Sequence, residues 1–317
     1  MTKSVFCIGE LLIDFFCTEL NQSLVDGTNF VKQAGGAPAN VCASVAKLGG
    51  HAMFCGKVGN DSFGQFLKQT LDERQVDTSM LVMDEACPTT LAFVSRQLNG
   101  ERDFIFNRGA DGELHITDLD ATKLQQIKVG HFGSATALLK DPFQTTYLQC
   151  MHTLKAQNVF ISFDPNYRAD LWKGQVETFV SWAQTCMVLA DFVKMSEEEL
   201  ALITGIHSCE EAVSSLHEQG VRAVAITLGE RGTYISVAAQ SQLIPSMKVQ
   251  AIDTTGAGDA FVGALLKQIA QCEQPKTLTL AEYEPFVRYA NIVGALVCEG
   301  VGAMEPLPTE EQVKQYL

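Results

Sequence analysis

A chain of 317 residues with 46% hydrophobic and 19% charged positions has the make-up of a globular protein with a sizeable core, not of a disordered or fibrous one. A formal net charge of −14 argues against binding nucleic acid or an anionic membrane surface, both of which need an excess of Lys and Arg, but a nucleotide's few phosphates can still be met locally. Ten cysteines without a C-x-x-C pair and six histidines without close ligand spacing read as reduced thiols and speak against a zinc or iron centre.

The N-terminal run MTKSVFCIGELLIDFF is interrupted by Glu10 and Asp14 too soon for a signal peptide or a membrane span, which points to a cytoplasmic protein. A strand over 5–9 leads on to Asp14, a charge at a strand end. Residues about 14–33 do not follow the strand-helix rhythm, and a helix begins from about Asn40. Residues 90–106 hold two extended runs divided by Asn99-Gly100, the dipeptide of a tight hairpin turn. The two segments read as one small β-layer that can close as a lid and pair with another subunit. Short apolar runs then alternate with helical segments: a strand over 129–133 and a helix from Asp141, a strand over 159–163 and a helix near Trp172, a strand over 192–193 and a helix at Ser196. A strand over 221–227 leads to a hairpin around Tyr234, and helices near 258–270 and 280–298 follow. No Pro- or Ser-rich linker divides the chain, so 1–317 reads as a single domain. The repeated order predicts an α/β fold with a mostly parallel sheet flanked by helices, its ligands bound beyond the strand carboxyl ends.

The segment AIDTTGAGDAFVGALL, residues 251–266, carries the strongest chemical signal. Gly256, Ala257 and Gly258 leave the backbone accessible, and a helix starting near Asp259 offers N–H groups without intrahelical acceptors to an anion. Asp259 is then either a helix cap or a proton acceptor beside a bound phosphate. A dinucleotide fingerprint fits poorly, because the third glycine of G-x-G-x-x-G falls on Phe261.

With these residues in view, GGAPANVCASVAKLGG (35–50) resembles the N-terminal signature of the ribokinase-like (PfkB) sugar kinases, and DTTGAGDAFVGALL (253–266) resembles their C-terminal one. The resemblance runs from about Cys7 to Pro308, with Cys42 where the signature usually has Ser, Thr or Ala. It implies a ribokinase-like central sheet with a small β-sheet lid, ATP and Mg2+ as cofactors, a small-molecule sugar as partner and a homodimer. Asp259 is then the catalytic base, and Gly256, Ala257 and Gly258 hold developing charge. The sugar is met by Asp14, by backbone at Gly35 and Gly36, and by Asn40, which also reads as an N-cap.

ITLGERGTYIS (226–236) is similar to the family's nucleotide loop, which assigns Thr227, Gly229, Gly232 and, further on, Asn291 to the cofactor; a plain β-turn is the alternative. KMSEEELALITG (194–205) stands in place of an N-x-x-E motif, with Ser196 for Asn and Glu199 kept to act through water on magnesium; Ser-x-x-Glu is equally a capping box, repeated by Ser208 and Glu211. Lys194 meets a phosphate or is a surface cation. FDPNYRADLW (163–172) and FNRGADGEL (106–114) resemble segments of the fructokinase and 2-keto-3-deoxygluconate kinase branches. They add Asn166, Arg168 and Arg108 to the sugar site, unless the arginines pair with Asp170 or Asp111. Asp253, Thr255 and carbonyls around Val297, Gly300 and Gly302 match the loop where many relatives hold K+. The function implied is transfer of the γ-phosphoryl group of ATP to a primary hydroxyl, with fructose ahead of 2-keto-3-deoxygluconate and aminoimidazole riboside; the alternative outside enzymes is an inactive sugar-binding regulator on the same fold.

Overall fold

Continuous apolar runs, not alternating ones, form the first strand, and Ser4–Ile8 (β1) is buried along its whole length, as a strand covered on both faces must be. The computed structural model describes residues 4–19, 21–96 and 102–317, so the Asn99-Gly100 turn lies outside the described residues. After β1 come Leu12–Cys17 (β2), Phe30–Gly35 (β3), Ala37–Lys47 (α1), His51–Gly59 (β4), Ser62–Glu73 (α2), Asp77–Asp84 (β5), Leu91–Arg96 (β6) and Arg102–Asn107 (β7). The middle of the chain holds Ala121–Leu124 (α3), Val129–Phe132 (β8), Phe143–Ala156 (α4), Phe160–Phe163 (β9), Val176–Met187 (α5), Phe192–Ser196 (β10), Glu197–Thr204 (α6) and Cys209–Glu218 (α7). Ala223–Thr227 (β11), Thr233–Val237 (β12), Gln240–Ile244 (β13), Ala257–Gln271 (α8), Leu280–Val297 (α9) and Glu310–Lys314 (α10) complete it.

The central sheet has the order β13-β12-β11-β10-β9-β8-β1-β4-β5 and is parallel from β11 to β5, with β12 and β13 added antiparallel at one edge. Neighbouring residues of β1 serve opposite cores: Val5 and Cys7 pack with α1, α8 and α9, whereas Phe6 and Ile8 pack with α4 and α5. The chain leaves β1 toward β4 on one side and returns through β8 on the other, so a crevice opens at their carboxyl ends. A second sheet, ordered β3-β2-β6-β7, stands beside that crevice.

Four local expectations are corrected. Helix α1 starts at Ala37, not near Asn40, because Gly36 at φ 117° takes the cap and Pro38 suits the first turn; Asn40 is inside the helix. Helix α8 starts at Ala257, with Gly256 as its cap. No helix begins near Trp172: the chain turns there, Gly174 is left-handed at φ 76°, and α5 starts at Val176 while Trp172 fills the core. Asp14 does not end the first strand but lies within β2 of the second sheet. The strand β4, helix α2 and strand β5, between the two segments of the second sheet, add to the elements expected from the sequence.

Candidate active site

The N-terminus of α8 opens into the crevice because Gly256 adopts φ 76°, and a Cβ there would lie 2.5 Å from the Cβ of Ala303. At Gly258 a Cβ would come within 3.1 Å of Lys194 Nζ, so a cation stands over the exposed backbone. The Ala257 N–H is directed at the Thr254 carbonyl, 3.3 Å away.

Asp259, one position on, does not cap α8. Its Oδ2 accepts from Nδ2 of Asn40 at 2.8 Å, a contact made possible by the close approach of α1 and α8. Ser44 Oγ donates to the Ala260 carbonyl at 3.0 Å, and a Cβ on Gly263 would sit 2.5 Å from that of Ser44. Burial pushes the Asp259 carboxyl up to about 6, against the lowering effects of the Asn40 hydrogen bond, Arg168 and Lys194. With its Nδ2 so engaged, Asn40 keeps a buried Oδ1 that has no partner among the described residues. A buried acceptor of this kind calls for a donor such as a hydroxyl.

Lys194 is not a surface cation. Its Nζ lies 2.9 Å from Oδ2 of Asp164, with side-chain exposures of 8% and 1%. Burial alone would favour the free amine, but Asp164, Glu199 and Asp259 hold the ammonium above its ordinary range. Glu199 completes the capping box: Oε2 accepts from the Ser196 N–H and Oε1 from the Tyr167 N–H, both at 2.8 Å. Its carboxyl is nevertheless raised, chiefly by burial and by Asp164. Ser208 caps α7 through the Glu211 N–H without the reciprocal bond. Asn166, left-handed at φ 47°, donates to the Gly133 carbonyl at 2.7 Å and accepts from Arg168.

Asp14 approaches from the second sheet. A Cβ on Gly35 would collide with its Oδ2 at 1.9 Å, so the two backbones meet closely. Burial and the neighbouring Glu10 push Asp14 up to about 7, while Arg168 pulls it down. Glu10 accepts from the Ala37 N–H at 2.9 Å and from the Ser134 hydroxyl, and its carbonyl lies 2.3 Å from where a Cβ of Gly36 would be. Arg108 donates through Nη2 to the Thr136 carbonyl at 2.9 Å and lies 3.4 Å from Asp111, whereas its Nη1 is buried without a partner among the described residues. It therefore pairs with Asp111 as one sequence alternative allowed, yet retains a donor.

Next to the α8 N-terminus is a cleft of about 560 Å³ lined by Thr227, Gly229, Gly232, Gly258, Phe261 and Asn291 among others. Met247, Val249 and Ala295 give it apolar walls, which suit a base, and Gly258 brings it to the Lys194 cation. Gly232 at φ 101° lets the chain pass β13, for a Cβ would be 2.1 Å from the Ile244 carbonyl. Asn291 uses its amide to tie α9 to this hairpin, accepting from Thr233 Oγ1 at 2.6 Å and donating to Ile244 at 3.0 Å. Behind the turn, Asp253 accepts from Thr255 N and Oγ1 at 3.1 and 2.7 Å and from Gly302 N at 3.1 Å. The Cys298 carbonyl accepts from the Ile252 and Asp253 N–H groups, and the Val297 carbonyl accepts from the Gly300 N–H.

Two carboxyl groups, Glu10 and Asp164, went unrecognised in the sequence, and Asp111 was read only as a possible partner of Arg108. Each follows a strand end or a lid strand, and carboxylates at strand carboxyl ends were a signal already present in GELLIDF, RGADGEL and FDPNYR. Among the described residues, no helix is long and apolar enough to cross a membrane, and no group of three or more His, Cys, Asp or Glu could hold a metal.

The model of the pfkB family carbohydrate kinases matches residues 2–310. A rice relative, Fructokinase-1 of Oryza sativa subsp. japonica, is 39% identical over 100% of this chain and 98% of its own length. A fructokinase variant from Vibrio cholerae O395, solved with fructose, ADP and potassium ion, superposes with a TM-score of 0.87 at 31% identity, covering 99% of this chain and 98% of the other. A putative ribokinase II of E. coli in complex with ATP and magnesium gives a TM-score of 0.87 at 27% identity, covering 100% and 99%.

Proposed function

Because this chain belongs to the pfkB family of carbohydrate kinases and is a phosphotransferase acting on an alcohol group, we propose that it transfers the γ-phosphoryl group of ATP to the primary hydroxyl of fructose, giving fructose 6-phosphate. One observation carries the chemistry: Asp259 is a buried carboxylate, its carboxyl pushed up to about 6, held by Asn40 beside the free N-terminus of α8 and Lys194. Asp259 takes the proton from the attacking hydroxyl, late, because the transition state is loose. The α8 backbone from Gly256 through Gly258 and the Lys194 ammonium stabilise negative charge on the transferred group. The cleft along β11 and α9 takes the adenosine part, and its neighbourhood fits a phosphate chain because the cation faces bare backbone at Gly258. Magnesium neutralises phosphate charge when bound; Glu199 would act on it through water, because its oxygens already accept backbone N–H groups.

Asp14, Asn40 Oδ1 and Arg108 Nη1 supply the sugar contacts, a mix of acceptors and a donor suited to a polyol. Asp14→Ala is expected to raise the fructose KM by roughly 10–100-fold, the scale of one charged hydrogen bond, with a smaller change in kcat. A coupled ADP-release assay over fructose, 2-keto-3-deoxygluconate, ribose, aminoimidazole riboside and adenosine tests the acceptor. Better efficiency on the keto acid, or unaltered fructose kinetics in Asp14→Ala, would overturn it.

The loop formed by Asp253, Thr255 and Gly302 abuts the α8 turn through Ala303, and we read it as a potassium site that orders the anion hole. Activity should be higher in potassium than in a large organic cation at equal ionic strength; equal rates remove the site. The face of the second sheet that bears Asp14 also carries Phe16, Val31, Phe104 and Phe106, which supports its use as a lid and as the contact of a homodimer. Light scattering should give twice the 34.5 kDa chain mass, and a monomer at all working concentrations rejects the dimer. The ten free cysteines suit a reducing compartment, which we take to be the cytoplasm; recovery in another cell fraction would refute that.

A further inference from the structure

Asp111 touches no atom assigned above to binding or chemistry except through Arg108, yet its side chain is fully buried, at 0% exposure against 13% for Arg108. Its Oδ2 accepts from Thr136 Oγ1 at 2.8 Å and faces Arg108 Nε at 3.4 Å, and its Oδ1 accepts from the Thr90 hydroxyl. Thr90 Oγ1 in turn accepts from the Gly109 N–H at 2.8 Å, and the Thr90 carbonyl accepts from Ile13 at 3.1 Å. One carboxylate therefore ties together the start of β6, the end of β7 and the strand that carries Asp14.

A buried guanidinium with an open donor would attract any anionic ligand. Here the charge is already compensated at 3.4 Å, and the Nη2 group is occupied by a carbonyl, so only the Nη1 group remains to be shared. A hydroxyl oxygen can accept from it at no electrostatic cost. A ligand carboxylate taking the same donor would stand close to Asp111, whose charge already helps push the nearby Glu10 carboxyl upward, and like charges so placed repel strongly. We propose that Asp111 is the positioning residue that sets the charge selectivity of the sugar site, neutralising and orienting Arg108 so that neutral ketoses are accepted and sugar acids rejected. Selectivity of this kind comes from a built-in repulsion as much as from attraction. The inference rests on the fructose reading above.

The test compares the parent, Asp111→Asn, Arg108→Gln and the double variant, measuring efficiency on fructose, KM for ATP, and the inhibition constant or turnover of 2-keto-3-deoxygluconate. Asp111→Asn should lower the preference for fructose over the keto acid by roughly tenfold or more, the scale of one charge-assisted interaction, with KM for ATP unchanged. The double variant should lose that gain, because the unmasked cation is gone. An unchanged preference in a folded Asp111→Asn, or a gain that persists without Arg108, overturns the proposal. If Asp111→Asn has no cooperative melt, Arg108→Gln decides: fructose KM should rise roughly tenfold, and an unaltered KM overturns it. Failure of the parent on fructose would instead refute the acceptor assigned above, a separate outcome.

Discussion

Asp259→Asn should fold, melt no lower than the parent at neutral pH, and lose roughly 10²–10⁴-fold in turnover, the range ordinarily carried by a general base. The substitution keeps the side chain's shape and an oxygen for the Asn40 amide, and no helix cap is lost, since Gly256 holds that position. Stability is expected to hold for a reason of sign. A carboxyl held at about 6 in the folded protein, above its ordinary value near 4, stabilises the fold only while protonated. That contribution is complete below about pH 4 and is lost as pH rises through about 6, so at neutral pH the parent bears an ionised, buried Asp259 that the amide does not. The same carboxyl must be ionised to accept a proton, so parent kcat/KM should fall as pH drops through about 6. A folded Asp259→Asn with near-normal turnover would falsify the base; a parent profile flat from pH 7 to 5 would count equally against it.

Lys194→Met should cost about 3–5 kcal/mol of stability, the scale for stranding one partner of a buried ion pair. The size follows from the surroundings: Asp164 is 1% exposed, and its other oxygen accepts from the Asn166 N–H at 3.1 Å. Methionine fills much of the aliphatic stem but supplies no charge. Lys194→Met combined with Asp164→Asn should recover part of the loss, because the stranded charge is then absent. Urea unfolding of the parent and the two variants measures this, and a single-variant loss below about 1 kcal/mol would mean that water reaches the pair and screens it. KM for ATP should rise in both variants alike, since each lacks the cation above Gly258.

The strand-helix rhythm from β8 to β11 was legible because each strand is a short apolar run with a helix start close behind it. Serine at 196 gave the start of α6 outright, since a capping box is made by residues three apart and needs nothing from elsewhere. The start of α5 was misjudged because Trp172 has the apolar character of a helix face, whereas its burial is supplied by Phe179 and the core around it. Nearer the N-terminus, β4, α2 and β5 went unread because polar residues such as Lys57, Lys68, Asp77 and Asp84 break up their apolar runs.

What the sequence determined by itself depends on neighbours in the chain: the glycine turn before α8, the place of Asp259 within its first turn, the end of β11 at Thr227, and the second β-layer as a pair of extended segments. What only the tertiary structure decided was the partner of each charge. Asp259 could be read as a helix cap until Gly256 was found in that position and Asn40, 219 positions away, on its Oδ2. Lys194 was ambiguous between surface and site until Asp164, 30 positions away, buried it. Arg108 was read as a sugar contact or as one half of an ion pair, and it is paired while still offering a donor. The reason is physical: propensities, caps and turns are set by local backbone sterics, but the energy of a charge is set by burial and by groups within a few ångströms, and the fold brings those from distant parts of the chain.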